Sequence, residues 1–312
     1  MHKIAYIIED QMIFWSPIIL ALGVLAAVLM FLGLHLGKTG KATGAFVAIP
    51  LALFLSMIFG RLLYWLCLPE SYESLAQAFS KFGMQDYCLA GAFAGCALAA
   101  CMVRFAGLIK DLPAMLDAMS LAGALGIAVG KLNHVFNTGG RSIAMETGHQ
   151  YPVFWIQSAL CAALFVVLLI VFFVGKQSGS TCLLFCLIYG CTQVVLGGVS
   201  ADALCLPGID AMTLSQIGGL VLIATSGICF CWRMVRIRGW KMWYFALFLP
   251  MTVAFVSLAA AAHRMDNTEY LNSDYFGTTT ASAMVLIVFT ATVIILGIIA
   301  DLENKRTKNT EN

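Results

Sequence analysis

Nine apolar runs, joined by shorter polar segments, occupy most of the chain. A helix of about 20 apolar residues crosses the roughly 30 Å hydrocarbon layer of a membrane. The runs cover 12–36, 44–68, 87–108, 113–129, 152–174, 181–199, 213–232, 240–262 and 281–300, and the fourth and sixth are short and contain glycine. The pattern predicts an all-α, polytopic transmembrane helix bundle.

Composition agrees with this class, because 61% of the 312 residues are hydrophobic and 11% are charged, far from the balance of soluble domains. The first ten residues, MHKIAYIIED, lack the features of a removable signal peptide, so the first run is expected to be the first span. Most of the 11 cysteines lie inside apolar runs, where thiols pack as small hydrophobes, and no C-x-x-C pair occurs. We therefore expect no metal site, no cofactor and no nucleic-acid partner.

Lysine and arginine are distributed unevenly between the two sides of the expected bundle. With the N-terminus outside, twelve of them fall in inner loops and the C-terminal tail, and five fall in outer segments. Cytoplasmic loops carry the excess of positive charge in most membrane proteins. The sequence therefore predicts an N-terminus outside and a C-terminus in the cytoplasm.

A basic segment, RMVRIRGWK at 233–241, separates the seventh run from the last two. Such a segment favours contact with anionic lipid of the inner leaflet. The sequence predicts a seven-span core at 1–232, an appended two-helix hairpin at 233–302 and a hydrophilic cytoplasmic tail at 303–312.

The segment 69–86, between the second and third runs, has four apolar residues at helical spacing with acids and serines between them. These residues are Tyr72, Leu75, Ala76 and Phe79. The spacing predicts a helix lying in the membrane interface. It either rests on the headgroups for structural reasons or gates a substrate.

Arg61 lies inside the second run, in FGRLLYWL, several residues from its outer end. An ionisable side chain at this depth must pair, hydrate or extend to the interface. One interpretation is non-specific binding of lipid phosphate at the interface. The other is a cavity in which the planar guanidinium holds an anionic headgroup.

The most polar end of any run is ALGIAVGKLNHVFNTGGRSIAMETGHQYP at 124–152. Lys131, His134 and Asn137 are three residues apart, so a continuous helix places them on one face. Lysine attracts phosphate, histidine accepts a proton near neutral pH, and asparagine orients an oxygen atom. Arg141 follows a glycine pair whose backbone amides could cradle an anion. The alternative is ordinary anchoring of the lysine and the histidine at the interface.

Three other polar residues have structural interpretations beside functional ones. Asp117, near the beginning of the fourth run, is expected at the inner face, as a structural partner of a basic residue such as Arg104 or Lys110 rather than as a catalytic acid. Asp202 and Gln216 lie at outer ends of spans, where capping or interhelical hydrogen bonding would explain them.

Four patches, in order, resemble the bacterial prolipoprotein diacylglyceryl transferase family over about 13–232. FGRLLYWL resembles the family's G-A-R-L-x-Y, and GMQDYCLAGAFAG resembles G-G-M-x-x-H-G-G-x-x-G. LDAMSLAGALGIAVGKLNHVFNTGG resembles L-D-x-x-A-P-x-x-x-x-G-x-x-x-G-R-x-G-N-F-x-N-G-E. VSAD and MTLSQ resemble R-x-P-D followed by L-T-x-G-Q. The resemblance rests on the order and the spacing of the four patches taken together.

The resemblance implies an enzyme of the bacterial plasma (inner) membrane. It would move a diacylglyceryl group from phosphatidylglycerol, or another anionic phospholipid, to the lipobox cysteine of a preprolipoprotein signal peptide and release glycerol phosphate. The residues that would bind the lipid phosphate are Arg61, Lys131 and Arg141. The catalytic residues would be His134, Lys131 and Tyr87, and the supporting residues would be Tyr64, Asn137, Asp202 and Gln216.

Several positions depart from the family pattern. Ser16 replaces a tyrosine, Tyr87 a histidine, Lys131 an arginine, His134 an asparagine, Gly139 a glutamate and Val199 an arginine. Lysine lacks the bidentate fork of arginine, and valine removes a charge outright. The transferase hypothesis therefore has two rivals, an inactive relative that binds anionic lipid or a membrane partner and a lower-ranked small-solute transporter.

Overall fold

The chain folds mainly into α-helices, as the apolar runs predict. A computed structural model describes residues 4–8, 11–39, 42–72, 74–80, 87–138, 153–174, 178–197, 204–207 and 209–238. The helices in these ranges are α1 Trp15–Thr39, α2 Thr43–Cys67, α3 Leu75–Ser80, α4 Leu89–Phe105, α5 Leu112–Thr138, α6 Val153–Val174, α7 Ser180–Leu196 and α8 Leu214–Arg238. Short elements are a 3-10 turn at Pro69–Ser71 and the strands β1 Ile4–Ile8, β2 Gln11–Phe14, β3 Cys205–Leu206 and β4 Ile209–Thr213.

Five of the described helices, α1, α2, α5, α6 and α8, are long and apolar enough to cross a membrane. Helices α4 and α7 are apolar but only 17 residues long. The fourth run, expected to be short, is part of α5, which has 27 residues because the helix continues through the polar residues after 129. The predicted class, an all-α polytopic bundle, is confirmed, with short strands beside the helices. The last two predicted spans, 240–262 and 281–300, lie outside the described residues.

The Cα positions group into two compact units. The first consists of Met1–Cys182 with Val199–Gly208, and the second of Leu183–Gly198 with Ile209–Asn312. In the first unit, β1 and β2 form an antiparallel pair before α1. The division at 1–232, 233–302 and 303–312 stays a prediction.

In the first unit, α2 and α4 pack closely through small residues. A Cβ atom added at Gly95 would lie 2.5 Å from the carbonyl carbon of Leu55, and Gly91 similarly contacts the backbone of Phe59. The Ser56 hydroxyl donates to the Ala92 carbonyl oxygen at 3.0 Å. Small residues let helix backbones approach each other in lipid, where van der Waals contact replaces the hydrophobic effect. The glycines therefore fix the position of α4 against α2.

Helices α2 and α5 begin at the same end of the first unit. A Cβ atom added at Gly44, in the first turn of α2, would lie 3.2 Å from the carbonyl oxygen of Leu108, shortly before α5. Helix α5 also packs against α1, where an added Cβ at Gly23 would lie 3.2 Å from the Val129 side chain. The two helices therefore run in the same direction, and their C-terminal ends lie at one end of this unit.

Asp117 is fully buried near the beginning of α5 and has a structural role. Its carboxylate accepts hydrogen bonds from the backbone N–H groups of Gly179 at 2.7 Å and Cys182 at 2.8 Å. The Lys38 ammonium group lies 3.8 Å from the same carboxylate. The expected structural partnership of Asp117 with a basic residue is therefore present. Its partner here is Lys38, in the last turn of α1, which is distant from Asp117 in the sequence and was not among the examples, Arg104 and Lys110, that the sequence suggested.

Asp117→Asn is expected to lower the free energy of unfolding by about 2 kcal/mol or more, because it removes the charge that both N–H groups and Lys38 face. The measurement is thermal unfolding of the purified protein in detergent. Glu70→Gln is the matched control, since Glu70 is exposed in the 3-10 turn. Equal unfolding temperatures for the two variants would contradict the structural role.

Candidate functional site

Arg61 is 3% exposed and lies in α2, six residues before its end. Its Nε donates a hydrogen bond to the backbone carbonyl oxygen of Ala78, in α3, at 2.6 Å. The guanidinium carbon lies 5.3 Å from the ring centroid of Tyr72 and 5.4 Å from that of Tyr87. A guanidinium over aromatic faces is stabilised by the ring quadrupoles, and more strongly when it is desolvated. We refer to Arg61, Tyr72, Ala78 and Tyr87 as the Arg61 cluster.

Tyr87 reaches Arg61 because of a backbone contact rather than a side-chain one. The N–H of Cys88 donates to the carbonyl oxygen of Gly60 at 3.0 Å. A Cβ atom added at Gly60 would lie only 3.2 Å from the carbonyl oxygen of Cys88. The glycine before Arg61 thus lets the chain preceding α4 lie directly against α2, and this brings Tyr87 beside the guanidinium.

The other half of the Arg61 cluster comes from the segment predicted to be interfacial. Within that segment the helix is α3, Leu75–Ser80, and residues 81–86 lie outside the described part. Ala78 is fully buried, so α3 packs against other elements of the first unit. The sequence placed Tyr72 in the apolar stripe but gave no indication that its ring would face Arg61.

Lys131 lies near the C-terminal end of α5 and is half-buried. Its Nζ is 5.5 Å from the ring centroid of Phe154, in the first turn of α6. Helix α5 continues unbroken to Thr138, so Lys131, His134 and Asn137 share one helical face, as their spacing predicts. The side chains of His134 and Asn137, and the whole of Arg141, lie outside the described part of the structure.

Arg61 and Lys131 lie at the same end of the first unit, since each is close to the C-terminal end of its helix. Their described contacts differ. Arg61 contacts α3 and the segment before α4, whereas Lys131 contacts α6. Tyr64 lies on the same side of α2 as Arg61, because it is one turn further along the helix. Its side chain is half-buried. Convergence of the two cations on a single phosphate stays a prediction.

Gln216, in the second unit, has the capping and interhelical roles that its position favours. Its Oε1 accepts the N–H of Thr213 at 3.1 Å, and its own N–H donates to the Thr213 hydroxyl at 3.3 Å. This reciprocal pair is a capping box at the start of α8. Its Nε2 also donates to the carbonyl oxygen of Val194, in α7, at 3.3 Å. Asp202 lies outside the described residues.

Gln157 is a buried polar residue that the sequence interpretation did not single out. It lies in α6 and is 3% exposed, and within the described part of the chain its Oε1 accepts no hydrogen bond. An unsatisfied buried acceptor costs about 1–3 kcal/mol. The available signal was an amide inside an otherwise apolar run, which marks a functional candidate at membrane depth.

Within the described ranges, no group of three or more histidine, cysteine or acidic side chains is placed to hold a metal ion. The cations that the structure describes at the site, Arg61 and Lys131, are of the kind that bind an anion. The family model described as prolipoprotein diacylglyceryl transferase matches residues 3–232. No curated protein matches the chain.

Proposed function

Because the chain belongs to the prolipoprotein diacylglyceryl transferase family, we propose that it transfers a diacylglyceryl group from phosphatidylglycerol to the lipobox cysteine of a preprolipoprotein. The observation that carries the proposal is the burial of Arg61 in a membrane helix with Tyr87 beside it. A charged side chain at this depth costs free energy, and such a residue therefore marks a functional site by default. The matched region includes every residue of the Arg61 cluster and Lys131.

In the proposed site, the cations Arg61, Lys131 and Arg141 hold the lipid phosphate. A guanidinium offers a planar fork of donors to phosphate, while a lysine acts as a point charge. The attraction of either cation to the phosphate is stronger where water is excluded, because the local dielectric constant is low. Tyr64, Asn137 and Asp202 are the proposed supporting residues of this site.

The proposed reaction is a displacement at the carbon of the diacylglyceryl group that is bonded to the phosphate oxygen. A bond forms between the acceptor sulfur and that carbon, and the carbon–oxygen bond to phosphate breaks. The thiol proton passes to the imidazole of His134, directly or through the Tyr87 hydroxyl, which gives up its own proton as it receives one, and glycerol phosphate leaves with the electron pair of the broken bond. The cations stabilise the charge that develops on the phosphate oxygens.

The proposed setting is the bacterial plasma membrane, with the site at the outer leaflet. The charge distribution supports this orientation, since twelve basic residues would face the cytoplasm and five the outside. Signal peptides of preprolipoproteins would then reach the site from the side on which the C-terminal ends of α2 and α5 lie.

The test is incubation of the purified protein in phosphatidylglycerol vesicles with a lipobox peptide. Mass spectrometry should detect the peptide with an added diacylglyceryl group, together with released glycerol phosphate. The same peptide with serine in place of cysteine, and vesicles of phosphatidylcholine, should give no product. Absence of product with the cysteine peptide would overturn the proposed activity.

The second candidate is an inactive relative that binds anionic lipid or a membrane partner. It is favoured by the loss of two signature arginines, at Lys131 and Val199. Retained binding of phosphatidylglycerol without product in the vesicle assay would establish this candidate over the transferase.

A further inference from the structure

Gln157 shares a face of α6 with Phe154, whose ring Lys131 contacts. Phe154 is three residues before it and Cys161 four residues after it, so all three side chains point to the same side of the helix. All three are buried. The Lys131 ammonium group lies 5.5 Å from the Phe154 ring. Gln157 is therefore one helical turn from the ring that the Lys131 ammonium group contacts.

A hydrogen bond fixes α6 against α5 at this level. The hydroxyl of Ser158 donates to the carbonyl oxygen of Ala128 at 2.6 Å, one helical turn before Lys131. The backbone of α6 beside Gln157 is thus held against α5. The Oε1 of Gln157 is enclosed in the protein, yet no group in the described part of the chain donates to it. A buried acceptor without a donor, one turn from a ring that a lysine contacts, is a candidate for a hydrogen bond from a ligand.

We propose that Gln157 determines the specificity of the lipid site: its Oε1 accepts a hydrogen bond from a headgroup hydroxyl while Lys131 attracts the phosphate. This inference rests on the proposed function and names what the site recognises beyond charge. An amide oxygen accepts only, so the headgroup must bring a donor. A glycerol headgroup brings hydroxyls, whereas a choline headgroup brings none and adds a positive charge next to Lys131.

The experiment compares three lipids that differ in charge and in headgroup donors. Phosphatidylglycerol and phosphatidylmethanol are both anionic phosphodiesters, but the second has no hydroxyl, and phosphatidylcholine is neutral overall. Their affinities are measured by titration into the purified full-length protein in detergent. Wild-type protein should bind phosphatidylglycerol about 5- to 10-fold more tightly than phosphatidylmethanol, the ratio expected for one hydrogen bond to a buried neutral acceptor.

Gln157→Met keeps the length of the side chain and removes the acceptor. It should bring phosphatidylglycerol to the affinity of phosphatidylmethanol and leave phosphatidylmethanol binding unchanged, which also shows that the variant is folded. Gln193→Met removes a similarly buried amide from α7 and should keep the wild-type ratio.

The outcomes separate this inference from the proposed function. Equal wild-type affinities for the two anionic lipids, both above phosphatidylcholine, would overturn the role of Gln157 alone. Equal affinities for all three lipids would overturn the anionic lipid site and the role of Gln157 with it. A Gln157→Met protein that keeps the wild-type ratio would also overturn the role.

Discussion

Lys131→Ala is expected to lower transferase turnover at least about 100-fold, the cost of removing one charged group that stabilises a developing anion. The lysine lies near the C-terminal end of α5, with its ammonium group against Phe154 in α6. Truncation removes one of the three cations proposed to hold the departing phosphate. Product formation from phosphatidylglycerol vesicles and a lipobox peptide, followed by mass spectrometry, measures the effect.

Two further variants are controls for Lys131→Ala. Lys131→Arg restores the residue of the family pattern and should keep at least a tenth of the wild-type rate, because the charge remains and a bidentate fork is added. Lys110→Ala removes an exposed lysine from the segment before α5 and should leave the rate unchanged. Wild-type turnover in Lys131→Ala would refute the role assigned to Lys131.

Gly95→Ala is expected to lower the free energy of unfolding by about 3 kcal/mol, the upper end for overpacking a close-packed interior. The added Cβ would lie 2.5 Å from backbone atoms of Leu55 and Ser56. Backbone atoms cannot rotate away, so α2 and α4 must separate. Loss of the monodisperse peak in size-exclusion chromatography and a lower unfolding temperature in detergent measure the change.

Gly123→Ala is the matched control for the helix crossing. An added Cβ at Gly123, in α5, meets no atom within 4 Å. Alanine is the better helix former by about 1 kcal/mol, so this variant should be as stable as the wild type or more so. Equal unfolding temperatures for Gly95→Ala and the wild type would show that α2 and α4 do not pack as described.

The sequence predicted the helices well because a membrane span is a local property of about 20 consecutive residues. The continuous helix through Lys131, His134 and Asn137 that the sequence predicted is also present. The fourth apolar run stops at residue 129, but α5 continues to Thr138, because helical hydrogen bonds do not depend on the polarity of the side chains. That extension places Lys131, His134 and Asn137 in one helix.

The sequence was sufficient to name residues of the candidate site, but it did not predict which other residues contact them. Arg61 stood out as a charge inside an apolar run, but its contacts come from residues 72, 78 and 87 in two other segments. For Asp117 the sequence likewise predicted a basic partner but did not point to Lys38, which is distant in sequence. Pairings of this kind depend on tertiary packing, which one sequence does not specify locally.

The hydrogen bond from the Cys88 N–H to the Gly60 carbonyl oxygen has a consequence for how this family can diversify. It uses main-chain atoms only, so the location of position 87 beside α2 is independent of which amino acid stands there. The family motif has histidine at this position, and the present chain has tyrosine. A different side chain can therefore stand at position 87, beside Arg61, while the backbone that presents it stays the same.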